Sequence, residues 1–510
     1  AASDVMTDNT LNVKGKNITV RGVENFGKAN FDLVNKTVGD TLLKITGGAT
    51  NKIDWAGVEV VLLPTYSFTP KSYEKRLFTL MDNEDGISFM KGTTDTYATI
   101  GAKERTFGNY EFVIDTDNHT GHATRYVYAD GFQFKDNTAA TYTSAEGTHD
   151  AAWAGRTATG NKVEGNKLTV TGGSVTNAYG GFVVNNKRDA SGNPLTTGDA
   201  DNNTLILAKD AANPSAAAPA VTGSAYGALV KTKAGSATNN KVDFSAGHVA
   251  GSLYGGALTA TGATGAATGN TITITGAATV GGDVYGGYTT GTGATTGNTV
   301  NLGDGTEAGK LTTAAGAATV AGTIYGGSNA SNTTGNVLNV NGNATVGNIK
   351  NFAAVNFHYD QDTTSAAAPM LKITDGVATA FDWSTFSYTG GIPMGGKLTL
   401  MQNDANISVA NYTGARDLAS ASANSEIAID TENHTATSKK IVIDGLTFRY
   451  ATVTPRENTV GADEKDVWAG RSILGNTTTH NVLTIDKGTE HRDAYGGWTA
   501  GTGTLKTPTK

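Results

Sequence analysis

The chain has 510 residues, with 66 glycines, nine prolines, no cysteine and a formal charge of −7 from 39 basic against 46 acidic side chains. That arithmetic excludes a disulfide scaffold and a thiolate-ligated zinc site; with so little proline and no Gly-X-Y period it also excludes collagen. It leaves no electrostatic footprint for nucleic acid, and an uncharged polar chain rich in Gly, Ala, Thr, Asn and Val has the make-up of stacked β-structure.

In chain order, the sequence opens at Ala1-Ala2-Ser3 with neither a basic nor an apolar leader segment. The expectation is either a chain that never had a leader or one whose leader has been removed to leave small residues; the missing cysteine does not separate the two but suits export through an oxidising space. No apolar stretch approaches the roughly 18–20 residues that span a bilayer, so no integral membrane segment is expected. Residues 1–164 read as the first copy of a duplicated β module. Within it Phe112-Val113-Ile114-Asp115, a polar turn and Arg125-Tyr126-Val127-Tyr128 form a predicted hairpin. Residues 165–345 read as a Gly/Asn/Thr-rich β-solenoid, and residues 346–510 as the second copy and the start of a further solenoid. Asp210–Pro219 and Gln361–Pro369 read as surface loops.

The duplication is visible residue by residue. Leu43-Lys44-Ile45-Thr46 returns as Leu371-Lys372-Ile373-Thr374, and Asp54-Trp55 as Asp382-Trp383. Ile114-Asp115-Thr116-Asp117-Asn118-His119 returns as Ile429-Asp430-Thr431-Glu432-Asn433-His434, and Trp153-Ala154-Gly155-Arg156 as Trp468-Ala469-Gly470-Arg471. The offsets drift only from 328 (371 against 43) to 315 (429 against 114), the scale of loop insertions and deletions.

Between the copies runs a shorter repeat with two parts. One is an Asn-led alternating strand beginning at Asn166, Asn240, Asn270, Asn298 and Asn336, with Asn481 in the second copy. The other is Tyr-Gly-Gly or a close variant at Tyr179, Tyr226, Tyr254, Tyr285, Tyr325 and Tyr495. Strand starts recur after 30 residues (240 to 270) and 28 (270 to 298), a period typical of solenoids. Alternation puts aliphatic side chains on one face, and Gly and Asn at the boundaries supply positive φ. Repeats stacked about 4.8 Å apart would bury that face and let Asn and Thr hydrogen-bond up the stack. The tyrosines are expected to stack on their neighbours while their glycines turn the corner; an exposed row could also grip a glycan or a protein. The two Trp-Ala-Gly-Arg tryptophans are expected to be packing anchors.

The Gly-Asn-led strands (Gly269-Asn270-Thr271-Ile272, Gly297-Asn298-Thr299-Val300) and the Val/Ile-Tyr-Gly-Gly motifs (Val284-Tyr285-Gly286-Gly287, Ile324-Tyr325-Gly326-Gly327) resemble the passenger regions of Gram-negative autotransporter adhesins. The resemblance implies an elongated right-handed parallel β-helix at the cell surface, used for adhesion or autoaggregation. Such families end in a membrane β-barrel, whereas this sequence stops at Thr507-Pro508-Thr509-Lys510 without one, so the expectation is either a fragment or processed passenger, or another surface β-solenoid family.

Chemistry-bearing patterns are sparse. The eight histidines show no metal-ligand spacing. Asp115-x-Asp117-x-His119 resembles the start of a calcium loop but lacks its sixth-position Gly and closing Glu; His119 and His434 are read as turn residues with unusual φ. No nucleophile elbow occurs, Ser252 and Ser328 sit in Gly-rich corners, and no phosphate loop is present. The reading assigns no catalytic, cofactor-binding or metal residues and no cofactor. It expects a non-enzymatic extracellular adhesin or fibre subunit, with itself or a surface glycan or protein as partner. The rival is a β-helical polysaccharide lyase or hydrolase. The tail Gly501-Thr502-Gly503-Thr504, like Gly291-Thr292-Gly293-Ala294, leads to the expectation of further copies or of chains meeting end to end.

Overall fold

Alternation sets the strands. In Lys167-Leu168-Thr169-Val170 the Leu and Val are fully buried while Lys167 is exposed, and Thr204–Leu207 and Lys241–Phe244 repeat the pattern. A computed structural model describes residues 8–48, 50–62, 78–91, 95–96, 99–303, 318–331, 333–359, 368–390, 397–422, 424–447, 449–453, 467–484 and 494–499. The chain is all-β with extensive parallel pairing. Among the described residues there is no α-helix, only three 3-10 turns at Trp55–Gly57, Ser144–Glu146 and Trp383–Thr385. The first and last are copies of one another, each capped by its preceding carboxylate: Asp54 accepts from the Ala56 amide and Asp382 from the Ser384 amide, both at 2.9 Å.

The chain divides into two units, Ala1–Asp243 with Gly247–Thr271 and Gly286–Thr296, and the remainder. In the first unit, Thr10–Val13, Lys28–Asp32 and Val58–Val61 pair in parallel. So do Ile18–Val20, Thr41–Ile45 and Phe78–Lys91, the last of which also pairs antiparallel with Thr124–Gln133. The expected hairpin is present: Tyr110–Thr116 lies antiparallel to Thr124–Gln133, with Val113 opposite Asp130 and Asp115 opposite Tyr128. Its turn residue His119 has φ +56°, as His434 has +60° in the copy.

Further along this unit each repeat contributes strands to three parallel sheets. Ala140–Tyr142, Lys167–Val170 and Thr204–Leu207 share one. Val163–Glu164, Ala200–Asp201, Ala237–Thr238 and Ala267–Thr268 share the second. Thr148–Thr157, Ser174–Val183, Ala225–Val230 and Leu253–Leu258 share the third. The parallel pairing thus begins before residue 165. In that third sheet Trp153, Tyr179, Tyr226 and Tyr254 are in register, so Trp-Ala-Gly-Arg occupies the same place as Tyr-Gly-Gly.

A buried asparagine ladder ties these repeats together. The Asn166 amide donates to Asn203 Oδ1 at 2.8 Å, Asn203 to Asn240 at 3.0 Å and Asn240 to Asn270 at 3.1 Å. Each Nδ2 also donates to a backbone carbonyl, of Phe134, Val163 and Ala200 respectively. Buried amides need such partners, because an unpaired one costs about 1–3 kcal/mol. The residue before each ladder Asn has positive φ: Asp136, Gly165, Asn202, Asn239 and Gly269 in this unit, and Gly297, Gly335 and His480 in the other. These are the residue types that tolerate the left-handed region. They make the corners.

The Tyr-Gly-Gly glycines do not. They lie inside strands without positive φ, and they are needed for space. A Cβ on Gly181 would come within 2.6 Å of the Asn203 amide, on Gly256 within 2.7 Å of Asn270, and on Gly155 within 2.1 Å of Asn166. The two motifs of the short repeat are therefore one device, a glycine seat holding an asparagine.

In the second unit Thr299–Leu302, Val337–Val340, Ala354–Tyr359 and Phe386–Gly390 pair in parallel. Asn298 donates to Asn336 at 3.3 Å in the same buried manner. A second ladder runs from buried Thr273 through half-buried Asn301, Asn339 and Asn356 to exposed Ser387, with contacts of 3.2, 2.8, 2.9 and 2.6 Å. The hairpin copy, Ser425–Thr431 with Thr437–Thr447, is antiparallel, and Val467–Ser472 pairs in parallel with Ala494–Thr499. The Gly501–Thr504 tail and most of the Gln361–Pro369 loop lie outside the described residues.

Candidate binding cleft

One face of the 110–133 hairpin packs Phe112, Ile114, Val127 and Ala129 into an apolar core. The register turns Val113, Asp115, Tyr128, Asp130 and Phe132 to the other face. There, with Trp153 and Arg156 of the next strand and Tyr179 and Phe182 of the one after, they line a cleft of about 610 Å³. Asp150, Asn186 and Lys231 complete its rim within the same unit.

A buried carboxylate fixes the hairpin to the strand beside it. Glu111 accepts from the Ala158 amide at 2.6 Å, Thr157 Oγ1 at 2.8 Å, Thr159 Oγ1 at 2.7 Å and Asn161 Nδ2 at 2.6 Å. Burial pushes this carboxyl up against the pull of those donors. Asn161 also donates to Glu104 at 2.7 Å, and Glu104 is ion-paired with Lys187. Burial would raise Glu104, but its bonds from Asn161, Lys187 and Thr106 outweigh that and hold it at about 2. Glu426 repeats the clamp on the Ile473 amide, Ser472 and Asn476 at 2.7, 2.9 and 2.7 Å.

Arg156 forms one wall. Its guanidinium lies 4.5 Å from the Phe132 ring centre, 4.7 Å from Trp153 and 5.4 Å from Phe182. Its Nε and Nη1 are buried without a hydrogen-bond partner. Burial lowers its pKa, opposed by the fields of Asp130 and Glu111. The copy, Arg471, lies 4.3 Å from Trp468 and 5.0 Å from Trp498. Trp153 is buried as expected of an anchor, whereas Trp468 is half-buried.

The calcium-like run is occupied by its own turn. Asp115, itself buried, accepts from the Thr116 amide at 2.8 Å and pairs with His119 Nδ1 at 2.9 Å. Asp117 accepts from Thr124 Oγ1 and the Tyr126 amide. The bond to Asp115 raises the His119 pKa, and Asp430 with His434 repeats the pair at 2.7 Å. No group of three or more His, Asp or Glu side chains is placed to hold a metal among the described residues.

The tyrosines stack as expected. Tyr179, Tyr226 and Tyr254 follow at 5.1 and 4.8 Å with rings within 14° of parallel, and Tyr285 lies 4.7 Å from Tyr325. Ring faces are thus largely covered by one another, and burial raises Tyr179 to about 12. Sequence reasoning passed over Glu111 and Glu426 and the ladder members Asn137 and Asn203. A charged residue opening each apolar hairpin strand at the same offset, 426 against 111, was the available signal, as was Asn203-Thr204-Leu205-Ile206-Leu207. Among the described residues no helix is long and apolar enough to cross a membrane. No family model, curated protein or solved structure matches the chain.

Proposed function

We propose that the chain is a right-handed parallel β-solenoid exposed at a bacterial surface, like an autotransporter passenger, and acts by adhesion or self-association as an adhesin or fibre subunit. The observation that carries this reading is the in-register ladder from Asn166 to Asn270 with its glycine seats. It spends the repeat's polar groups on stacking one repeat upon the next, the economy of a chain whose product is extended surface. Purified protein should give saturable binding to bacterial or host cells, or ordered fibres by electron microscopy. Monodisperse particles that neither bind cells nor associate contradict the reading.

A second reading, a β-helical polysaccharide lyase or hydrolase, draws on Asp115, Asp117, Asp130 and Asp150 sharing one cleft. Release of reducing ends or unsaturated sugars from a polysaccharide, lost in Asp130→Asn, would establish it.

A further inference from the structure

The two copies of the module separate framework from specificity in the cleft. Glu111, Asp115, His119, Asp130, Trp153 and Arg156 return as Glu426, Asp430, His434, Asp444, Trp468 and Arg471. Groups present in both copies carry the construction they share, the clamp, the turn and the stacked guanidinium. Tyr128 and Phe132, by contrast, stand where the second hairpin has Val442 and Leu446, by the register opposite Asp115/Asp430 and Glu111/Glu426. Phe182, beside Arg156, stands where Trp498 lies beside Arg471.

The charges that remain decide the ligand. Asp115 is taken up by His119, Asp117 by the turn, and the Asp130 field by Arg156. Asp150 and Lys231 are left on the rim, both exposed. No side-chain hydrogen bond or ion pair joins either to another described residue; Lys231 only overhangs the Phe182 ring at 5.5 Å. A free acceptor at Asp150, with free donors at Lys231 and at Arg156 Nε and Nη1, favours a ligand whose hydroxyls can both donate and accept. An anion would gain Lys231 but face the carboxylates, and a cation would meet Lys231 and Arg156. The cleft volume falls in the roughly 300–1,000 Å³ range of small-ligand sites.

We propose that this cleft binds an uncharged segment of a glycan chain, with hydroxyls of different sugar units taken by Asp150 and Lys231 at its two ends and an apolar sugar face set toward Tyr128. The site rests on the adhesive reading, of which it names the ligand class. The test is an array of immobilised short oligosaccharides probed with the full chain. Neutral glucose, galactose, mannose and N-acetylhexosamine series form one arm, and uronate-bearing and amine-bearing sugars two others. Binding to a neutral series is expected, and Asp150→Ala and Lys231→Ala should each weaken it about tenfold. Tyr128→Val, the residue of the second copy, should weaken it too. Because Asp150 and Lys231 are exposed, their variants should melt as the parent does, and Lys167→Ala, an exposed control outside the cleft, should bind normally. Preference for charged sugars, no neutral binding, or neutral binding that survives both variants overturns the proposal. Cell adhesion that persists in both variants overturns this site and leaves the adhesive reading standing; neutral-sugar binding without adhesion does the reverse.

Discussion

At the scale of the residue, the structure turns on an amide and a missing side chain. Asn203 both accepts from Asn166 and donates to Asn240 and the Val163 carbonyl, so Asn203→Ala strands several buried groups at once. Its cost should be about 2–4 kcal/mol in urea unfolding, more than a surface Asn→Ala. The glycine seats give a paired prediction. Gly256→Ala drives a methyl against Asn270, whereas Gly22→Ala meets nothing within 4 Å. The first should lower the melting temperature clearly and the second leave it nearly unchanged. This level was half legible in the sequence. Asn-led strands and Tyr-Gly-Gly were visible as separate signals, because each is a local pattern. That the second glycine exists for the asparagine was not, because their contact joins residues a dozen or more apart, as Gly256 is from Asn270. The glycines were expected at corners, where positive φ is the usual reason for glycine; the actual reason is close approach.

At the scale of the element, the hairpin is held by carboxylates that read as ordinary polar residues in sequence. Alternation in Phe112-Val113-Ile114-Asp115 predicts the strand, and the duplicated His predicts the left-handed turn. Burial of Glu111 was not predictable from that alternation, which assumes a solvated face opposite the core. Here the second face is covered by the strand bearing Trp153 and Arg156. The cleft was illegible for the same reason, since its walls come from elements between Val113 and Lys231. The clamp has a signature in pH. Glu104 is held at about 2, below its ordinary value of 4.5, so its contribution is fully present above about 4.5 and is lost as pH falls toward 2. The difference in urea midpoint between the parent and Glu104→Gln should therefore be constant near neutrality and vanish on acidification. A difference that grows on acidification would contradict the assignment.

At the scale of the whole molecule, the account is that one unit of 28 to 38 residues, a left-handed corner, an asparagine and its glycine seat, recurs and stacks in register. Duplication of the larger module is carried through to matching caps, turns and clamps, from Asp54 and Asp382 to Glu111 and Glu426. Stability in such an array is a sum over neighbouring repeats, so removing one whole repeat in register should be tolerated where an arbitrary excision is not. Deletion of residues 240–269 joins Asn239, already in the left-handed conformation, directly to Asn270, and sets Asn270 in the place of Asn240 against Asn203. Circular dichroism melting of that shortened chain is the most direct test. The account predicts a retained β spectrum and a cooperative transition within a few degrees of the parent's; loss of the β signal or of cooperativity would contradict it.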